Sequence, residues 1–258
     1  MKEQKSGARD TGLQLLNELE GLLERPREVF RDRPNLVAEV EADLGRGSQR
    51  IVIKRFGWRN RAGFLLSPLR RSKAFRSRRA ALHLLAHQIP TPLPIKVVER
   101  RKLGFLLQDL YVTESLGPKV NLRNYLQEVG WEERKRVLGV FGSLLRRMHD
   151  SGFCHRDPRL NNVFIRRGES PPERLYFVDL NRAKLKGRVY LWGRTTDLVK
   201  IKLGPMERKV LLESYSKGDY LYYRRIARAL RLRDKLLATK VRIKRWRDRN
   251  IYRPLGMR

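Results

Sequence analysis

The stretch that most constrains this chain is HRDPRLNNVFI at residues 155–165, with LYFVD following at residues 175–179. An H-R-D triplet is followed by an asparagine five residues beyond its aspartate, then by an apolar strand, a polar turn and a second strand ending on Asp179. H-R-D alone recurs by chance, and an aspartate can simply close a strand. The whole spacing is far harder to obtain by accident. Moving a phosphoryl group asks little covalent chemistry of a protein. It asks for a carboxylate to orient or deprotonate the attacking hydroxyl, and for oxygen ligands that hold Mg²⁺ against the phosphates. Asp157 suits the first task, and Asn162 and Asp179 suit the second.

The surrounding pattern supplies the frame for that chemistry. Leucines at helical spacing in LQLLNELEGLLE predict a short amphipathic helix over residues 13–24. LVAEVEADL alternates as a strand, Gly45-Arg46-Gly47-Ser48 turns the chain, and RIVIKRF returns as a second strand carrying Lys54. A basic helix over residues 70–87 ends at the extended segment IPTPLPI, and residues 95–99 and 104–113 read as further strands. Helices are predicted over 121–128 and 132–150, and the chain from about residue 195 is helical and basic. Strands gathered early and helices late predict an α+β protein of two lobes. The expected division is residues 1–115 as a nucleotide-binding lobe and residues 116–258 as a catalytic lobe ending in a basic helical tail.

Lys54 lies about a hundred residues before Asp157, where protein-kinase-like folds keep the lysine that holds the nucleotide phosphates. Gly45, Gly47 and Ser48 form the one turn available to cover those phosphates. Glu114, ending LLQDLYVTE, stands where such a fold has its hinge and joins the nucleotide-binding candidates, although its side chain reads as a solvated charge. Asp197 in TTDLVKI reads equally as an anchor for the catalytic loop or as an acid at a helix start capped by Thr195 or Thr196. Cys154 reads as a packing residue, and as the single cysteine it excludes an internal disulfide and fits a reducing compartment, although a chain with one cysteine tolerates either. His83 and His87, one helical turn apart, lack the further ligands of a metal site.

Taken together, IVIKRF, the arginine-rich helix leading to IPTPLPI, LYVTESL, the catalytic loop and FVDLNRAKL resemble the bacterial lipopolysaccharide kinase family, across roughly residues 36–215. The segment Asp179-Leu180-Asn181-Arg182-Ala183 has the D-x-x-R-A form of the heptose kinases in place of D-F-G. The resemblance implies ATP and Mg²⁺ as cofactors. It implies Asp157 as base, Asn162 and Asp179 as metal ligands, and Lys54 on the nucleotide phosphates. The implied acceptor is a heptose or Kdo hydroxyl of the lipopolysaccharide core glycan, met at the cytoplasmic face of the inner membrane. The sequence departs from general kinases in lacking a full G-x-G-x-x-G and in having no acid from Arg55 to Val98. Ser77, Arg78 and Arg79 stand about where the lysine's glutamate partner would be, so Lys54 must be oriented by Asp179, by Glu99 or by the nucleotide.

Charge narrows the acceptor. Lysine and arginine total 59 against 27 acids, a formal net charge of +32, which points to an anionic partner. Ten of these cations fall within residues 54–79 without an acid. Thirteen fall within residues 224–253, interleaved with Tyr222, Tyr223, Trp246 and Tyr252. Such a segment suits an anionic inner-membrane surface. A nucleic-acid backbone would suit the charge equally, but the aromatics form no stacking platform and no nucleic-acid motif accompanies them. Only 18 positions separate Asp179 from Asp197, too few for a long peptide-docking segment, which favours a small or glycan acceptor. A kinase for cationic small molecules would want an acidic pocket in place of this basic chain. The remaining alternatives are an inactive kinase-like membrane-binding module and a kinase of another small anionic acceptor. No run approaches the roughly 18 apolar residues of a spanning helix, and the charged N-terminus has no signal-peptide pattern. A soluble or peripherally bound protein is expected.

Overall fold

A computed structural model describes residues 3–32, 35–43, 47–58, 61–166, 175–247 and 250. The chain divides into two compact units, Met1–Tyr125 with Asn161–Lys184 and Leu126–Leu160 with Leu185–Arg258.

The first unit opens with helix α1 (Glu3–Glu24), then strands β1 (Glu28–Arg31), β2 (Leu36–Asp43) and β3 (Ser48–Arg55). A short helix α2 (Arg61–Leu65) leads to α3 (Lys73–Ala86), β4 (Pro94–Lys102) and β5 (Phe105–Glu114). These five strands make one antiparallel sheet in the order β1-β2-β3-β5-β4. Strand alternation sorts β3 by face. Ile51 and Ile53 are buried with Leu16, Leu19 and Leu23 of α1, joined by Val40, Leu110 and Val112 of the neighbouring strands. Val52 and Lys54 therefore take the opposite face. The edge strand β1 escapes the sequence reading because all four residues of EVFR are exposed and show no alternation.

Helix α3 is basic and has no acid in its first turn. Strand β5 supplies one: Asp109 accepts from the backbone N–H groups of Lys73 (2.9 Å) and Ala74 (3.2 Å), and Ser72 Oγ accepts from Phe75 N at 3.0 Å. A carboxylate at a helix start satisfies orphan donors and opposes the helix dipole, so a buried acid on the sheet fixes where this helix begins. Burial nonetheless pushes the Asp109 pKa up, against the pull of those hydrogen bonds. The prolines of IPTPLPI hold an extended chain that pins the unit's second sheet. Phe177 N donates to Pro90 O at 2.9 Å, and Thr91 Oγ1 donates to Phe177 O at 2.7 Å. That sheet joins β6 (Lys119–Asn121), β8 (Val163–Arg166) and β9 (Leu175–Phe177) in the order β6-β8-β9. Helix α4 (Leu122–Glu128) follows β6 in the chain.

The second unit holds α5 (Trp131–Asp150), β7 (Phe153–Cys154), α6 (Leu191–Leu198), α7 (Pro205–Tyr215) and α8 (Tyr220–Arg247). Val137, Leu138, Phe141, Leu144, Leu145 and Met148 are buried on one face of α5, the stripe expected of an amphipathic helix. Gly142 lies on that face where α7 crosses, and an added Cβ would stand 2.5 Å from Leu211 O. Gly152 ends the helix at φ +80°, a conformation that suits glycine. Its carbonyl accepts from Lys186 N at 2.7 Å.

Candidate active site

In the first unit, Lys54 Nζ lies 2.5 Å from Asp179 Oδ1, and Asn181 Nδ2 donates to the same oxygen at 2.8 Å. The missing glutamate partner is thus replaced by Asp179. Glu99, the other protein candidate, pairs instead with Arg101 at 3.0 Å. The sequence predicts Asp179 at the end of a strand, but β9 ends at Phe177. Asp179 takes a left-handed conformation, φ 59° and ψ 48°, at the start of a 3-10 turn over Leu180–Arg182 that packs on α3. Left-handed backbone is uncommon for a residue with a Cβ and often marks a functional position. Here it turns the carboxylate toward Lys54, which also lies 5.0 Å from the centre of the Phe56 ring.

This pair borders a cavity of about 550 Å³ whose lining includes Val37, Val52, Tyr111, Thr113, Leu116, Asn162 and Val178. Asn162 closes a 3-10 turn before β8, and its carbonyl accepts from Val178 N at 3.0 Å. That bond ties the segment bearing one candidate metal ligand to the segment bearing the other. Among the described residues no three His, Cys, Asp or Glu side chains gather into a metal site. Asn162 and Asp179 still fit a hard cation that takes its other ligands from phosphates and water.

Glu114 borders the same cavity with its carboxylate engaged, because Oε1 accepts from Leu93 N at 3.1 Å while Leu93 O accepts from Glu114 N at 3.0 Å. Its side chain braces the extended segment, which is a firmer role than a solvated charge. Gly47, at φ +84°, and Ser48 lie in the β2–β3 turn outside the cavity lining, and Gly45 lies outside the described residues. Ser77, on α3 about where other kinases have the glutamate, lines the cavity and donates its hydroxyl to Lys73 O at 2.8 Å.

Sequence reasoning missed a further cation of the cavity, Lys119, which sits 4.1 Å from the Phe30 ring centre. Burial lowers its pKa despite the nearby charges of Glu39 and Glu28. Its only sequence signal is a lysine beginning a three-residue strand, too short to show a period.

The second unit carries the catalytic loop. Asp197 is fully buried on α6, one residue before that helix's last and far from its start, which removes the capping alternative. Its Oδ2 accepts from His155 N at 2.8 Å and its Oδ1 from Arg156 N at 2.9 Å. His149 Nε2 lies 3.3 Å from Oδ2, and the other ring nitrogen of His149 meets the Tyr215 hydroxyl at 2.7 Å. Burial acts to raise the Asp197 pKa, but the hydrogen bond and charge of His149, with His155 and Arg156 N–H, hold it below the usual carboxylate value. The loop is strained at Arg156, φ 68°, and Lys200 Nζ donates to Arg156 O from the segment after α6. Asp157, 6% exposed, has Arg159 Nε 2.9 Å from its Oδ1. Cys154 is buried and free, its thiol pKa pushed up to about 11 by burial, so packing is its role.

A sheet lysine paired to an aspartate just past a strand, and an H-R-D loop hung from a buried aspartate on a later helix, define a protein-kinase-like fold. A solved structure titled "WaaP in complex with acyl carrier protein" shares that fold with a TM-score of 0.59 at 19% identity, covering 86% of this chain and 89% of that one. The family model for the Lipopolysaccharide kinase (Kdo/WaaP) family matches residues 43–222, and the chain belongs to that family. Two relatives described as 3-deoxy-D-manno-octulosonic acid kinase are similar over shorter stretches. That of Photobacterium damsela subsp. piscicida is 31% identical over 84 residues, 32% of this chain and 34% of the relative. That of Haemophilus influenzae (strain 86-028NP) is 24% identical over 132 residues, 51% of this chain and 54% of the relative. The matched stretches therefore span about a third and about half of those relatives.

Proposed function

We propose that this protein is an ATP-dependent, Mg²⁺-requiring kinase that phosphorylates a heptose or Kdo hydroxyl of the lipopolysaccharide inner core, working at the cytoplasmic face of the inner membrane. The observation that carries the reading is the Lys54–Asp179 pair at 2.5 Å beside the cavity. It supports an intact phosphate-binding lysine in a chain without the usual glutamate. ATP supplies the γ-phosphoryl group, and Mg²⁺, when bound, would neutralise charge on its phosphates. Lys54 holds the α- and β-phosphates, and Asp179 and Asn162 offer oxygen ligands to the metal. Val37, Val52 and Leu116 give the cavity apolar walls suited to a planar base, next to the hinge position of Glu114. Asp157, held in place through the His155–Asp197 and Arg156–Asp197 hydrogen bonds, accepts the proton of the acceptor hydroxyl as its oxygen bonds to phosphorus and ADP leaves.

The family membership and the names of the relatives support a core sugar as acceptor, as do the basic residues flanking Lys54. Among the described residues no helix is long and apolar enough to cross a membrane.

The test is transfer of labelled γ-phosphate from Mg·ATP to purified core glycan that lacks phosphate, comparing heptose-only and Kdo-only acceptors. Asp157→Ala and Asp179→Ala are each expected to lower acceptor-dependent transfer by about 10³-fold, the scale of losing a general base or a charge-stabilising group, with an unchanged circular dichroism spectrum. Transfer retained in both variants overturns the assignment of roles.

A further inference from the structure

Helix α8 changes character along its length. Its first half is docked on the second unit: Ile226 and Leu230 are buried, Arg208 Nη1 donates to Asp234 at 2.9 Å, and Arg233 donates to Trp192 O at 3.1 Å. Tyr222 stacks on Tyr215 with ring centres 6.3 Å apart, so this tyrosine faces the body of the unit. From Lys235 to Arg247 every described side chain is exposed. A stretch of about a dozen residues gains too little from its own backbone to be a stable helix in water. This one also opposes itself electrically, since Asp234 is the single acid between Tyr220 and Arg247 and is already paired.

The exposed half carries an ordered apolar line. Leu232, Leu236, Ile243 and Trp246 recur at steps of four, seven and three, which places them within roughly 80° of arc at 3.6 residues per turn. They are 54%, 45%, 59% and 59% exposed. The line lies on the side of the helix opposite Ile226 and Leu230, so it is no continuation of the core. Arg228, Lys235 and Arg242 run along one margin of it, and Lys240 and Arg247 along the other.

We propose that this face of α8 lies in the surface of an anionic bilayer, with Leu236, Ile243 and Trp246 below the headgroups and the flanking cations on lipid phosphates. A nucleic-acid backbone satisfies the cations equally, but leaves four large apolar side chains in water. An anionic bilayer satisfies both at once. The inference deepens the placement at the inner membrane given above, and its test needs no phosphate transfer, so either reading can fail alone.

The full chain is mixed with vesicles of equal parts phosphatidylcholine and phosphatidylglycerol, with vesicles of phosphatidylcholine alone, and with duplex DNA. Binding is followed by co-sedimentation and by the fluorescence lost on Trp246→Phe. Binding to the anionic vesicles alone among the two lipids is expected, with a blue shift that Trp246→Phe removes. Leu236→Asp with Ile243→Asp should weaken it by more than tenfold, and Lys235→Gln and Arg242→Gln by roughly fivefold each. These positions are solvent-exposed, so thermal melting should be unchanged. Three results overturn the proposal: no binding to anionic vesicles, binding unaffected by the Leu236/Ile243 pair, or DNA binding that outcompetes the vesicles.

Discussion

Lys54 and Asp197 are each held by partners of their own unit, in different ways. Lys54 is held by one short ion pair to Asp179, its side chain 15% exposed beside the cavity. Asp197 is closed on every side by His149, His155 N and Arg156 N, so it fixes the strained loop that presents Asp157. Replacing Asp197 by Asn leaves one carboxylate oxygen as a donor facing N–H groups. We expect a loss of about 2–4 kcal/mol at neutral pH by urea unfolding. The pH dependence follows from the depressed pKa. Asp197 titrates lower in the folded chain than in the unfolded one, so its stabilisation is complete above the unfolded value near pH 4 and is lost as pH falls through the folded value. The gap between native protein and Asp197→Asn should therefore narrow below about pH 4. A gap constant with pH would show that Asp197 acts through shape alone.

At the scale of elements, the close crossing of α5 and α7 depends on a missing side chain. A methyl group at Gly142 would meet Leu211 O at 2.5 Å, whereas one at Gly139 meets only Ser214 Oγ at 3.4 Å. Gly142→Ala should destabilise by roughly 1–3 kcal/mol through overpacking against backbone, and Gly139→Ala should stabilise by about 0.5–1 kcal/mol through helix propensity. Denaturant midpoints compare the two directly, and equal effects would mean that α7 moves aside freely. The elements legible in the sequence are those with a buried face. Helix α5 is visible from Val137 to Met148, and β2 and β3 from their alternation and the turn between them. Strand β1 has no buried face and α2 spans five residues, so neither offers a period to read. Asp109, which starts α3, is distant from it in sequence and could be assigned only once β5 lay beside the helix.

At the scale of the whole molecule, the excess of cations is a destabilising self-repulsion that salt screens. Raising NaCl from about 0.05 M to about 0.5 M should raise Tm by a few degrees, on the scale of 1 kcal/mol shifting a chain of this size by about 2–4 °C. A flat or falling Tm would show that the ion pairs, such as Arg194 to Asp150 at 2.7 Å, already offset the repulsion.

The sequence by itself determined the residue types of the proposed phosphate-transfer site and their order, from Lys54 through Asp157 and Asn162 to Asp179. It did so because phosphate chemistry demands particular side chains at spacings that local strands and turns enforce. It also determined the α+β character, through the change from period two to period 3.6. Tertiary structure decided which partner Lys54 takes, because choosing between Asp179 and Glu99 depends on a left-handed turn invisible in the alternation of LYFVD. Folding likewise turned Asp197 from a possible helix cap into the anchor of the loop. In α8 it turned Tyr222 inward and Trp246 outward. Periodicity shows that a helix has faces, but only the packing of other elements against it decides which face remains exposed.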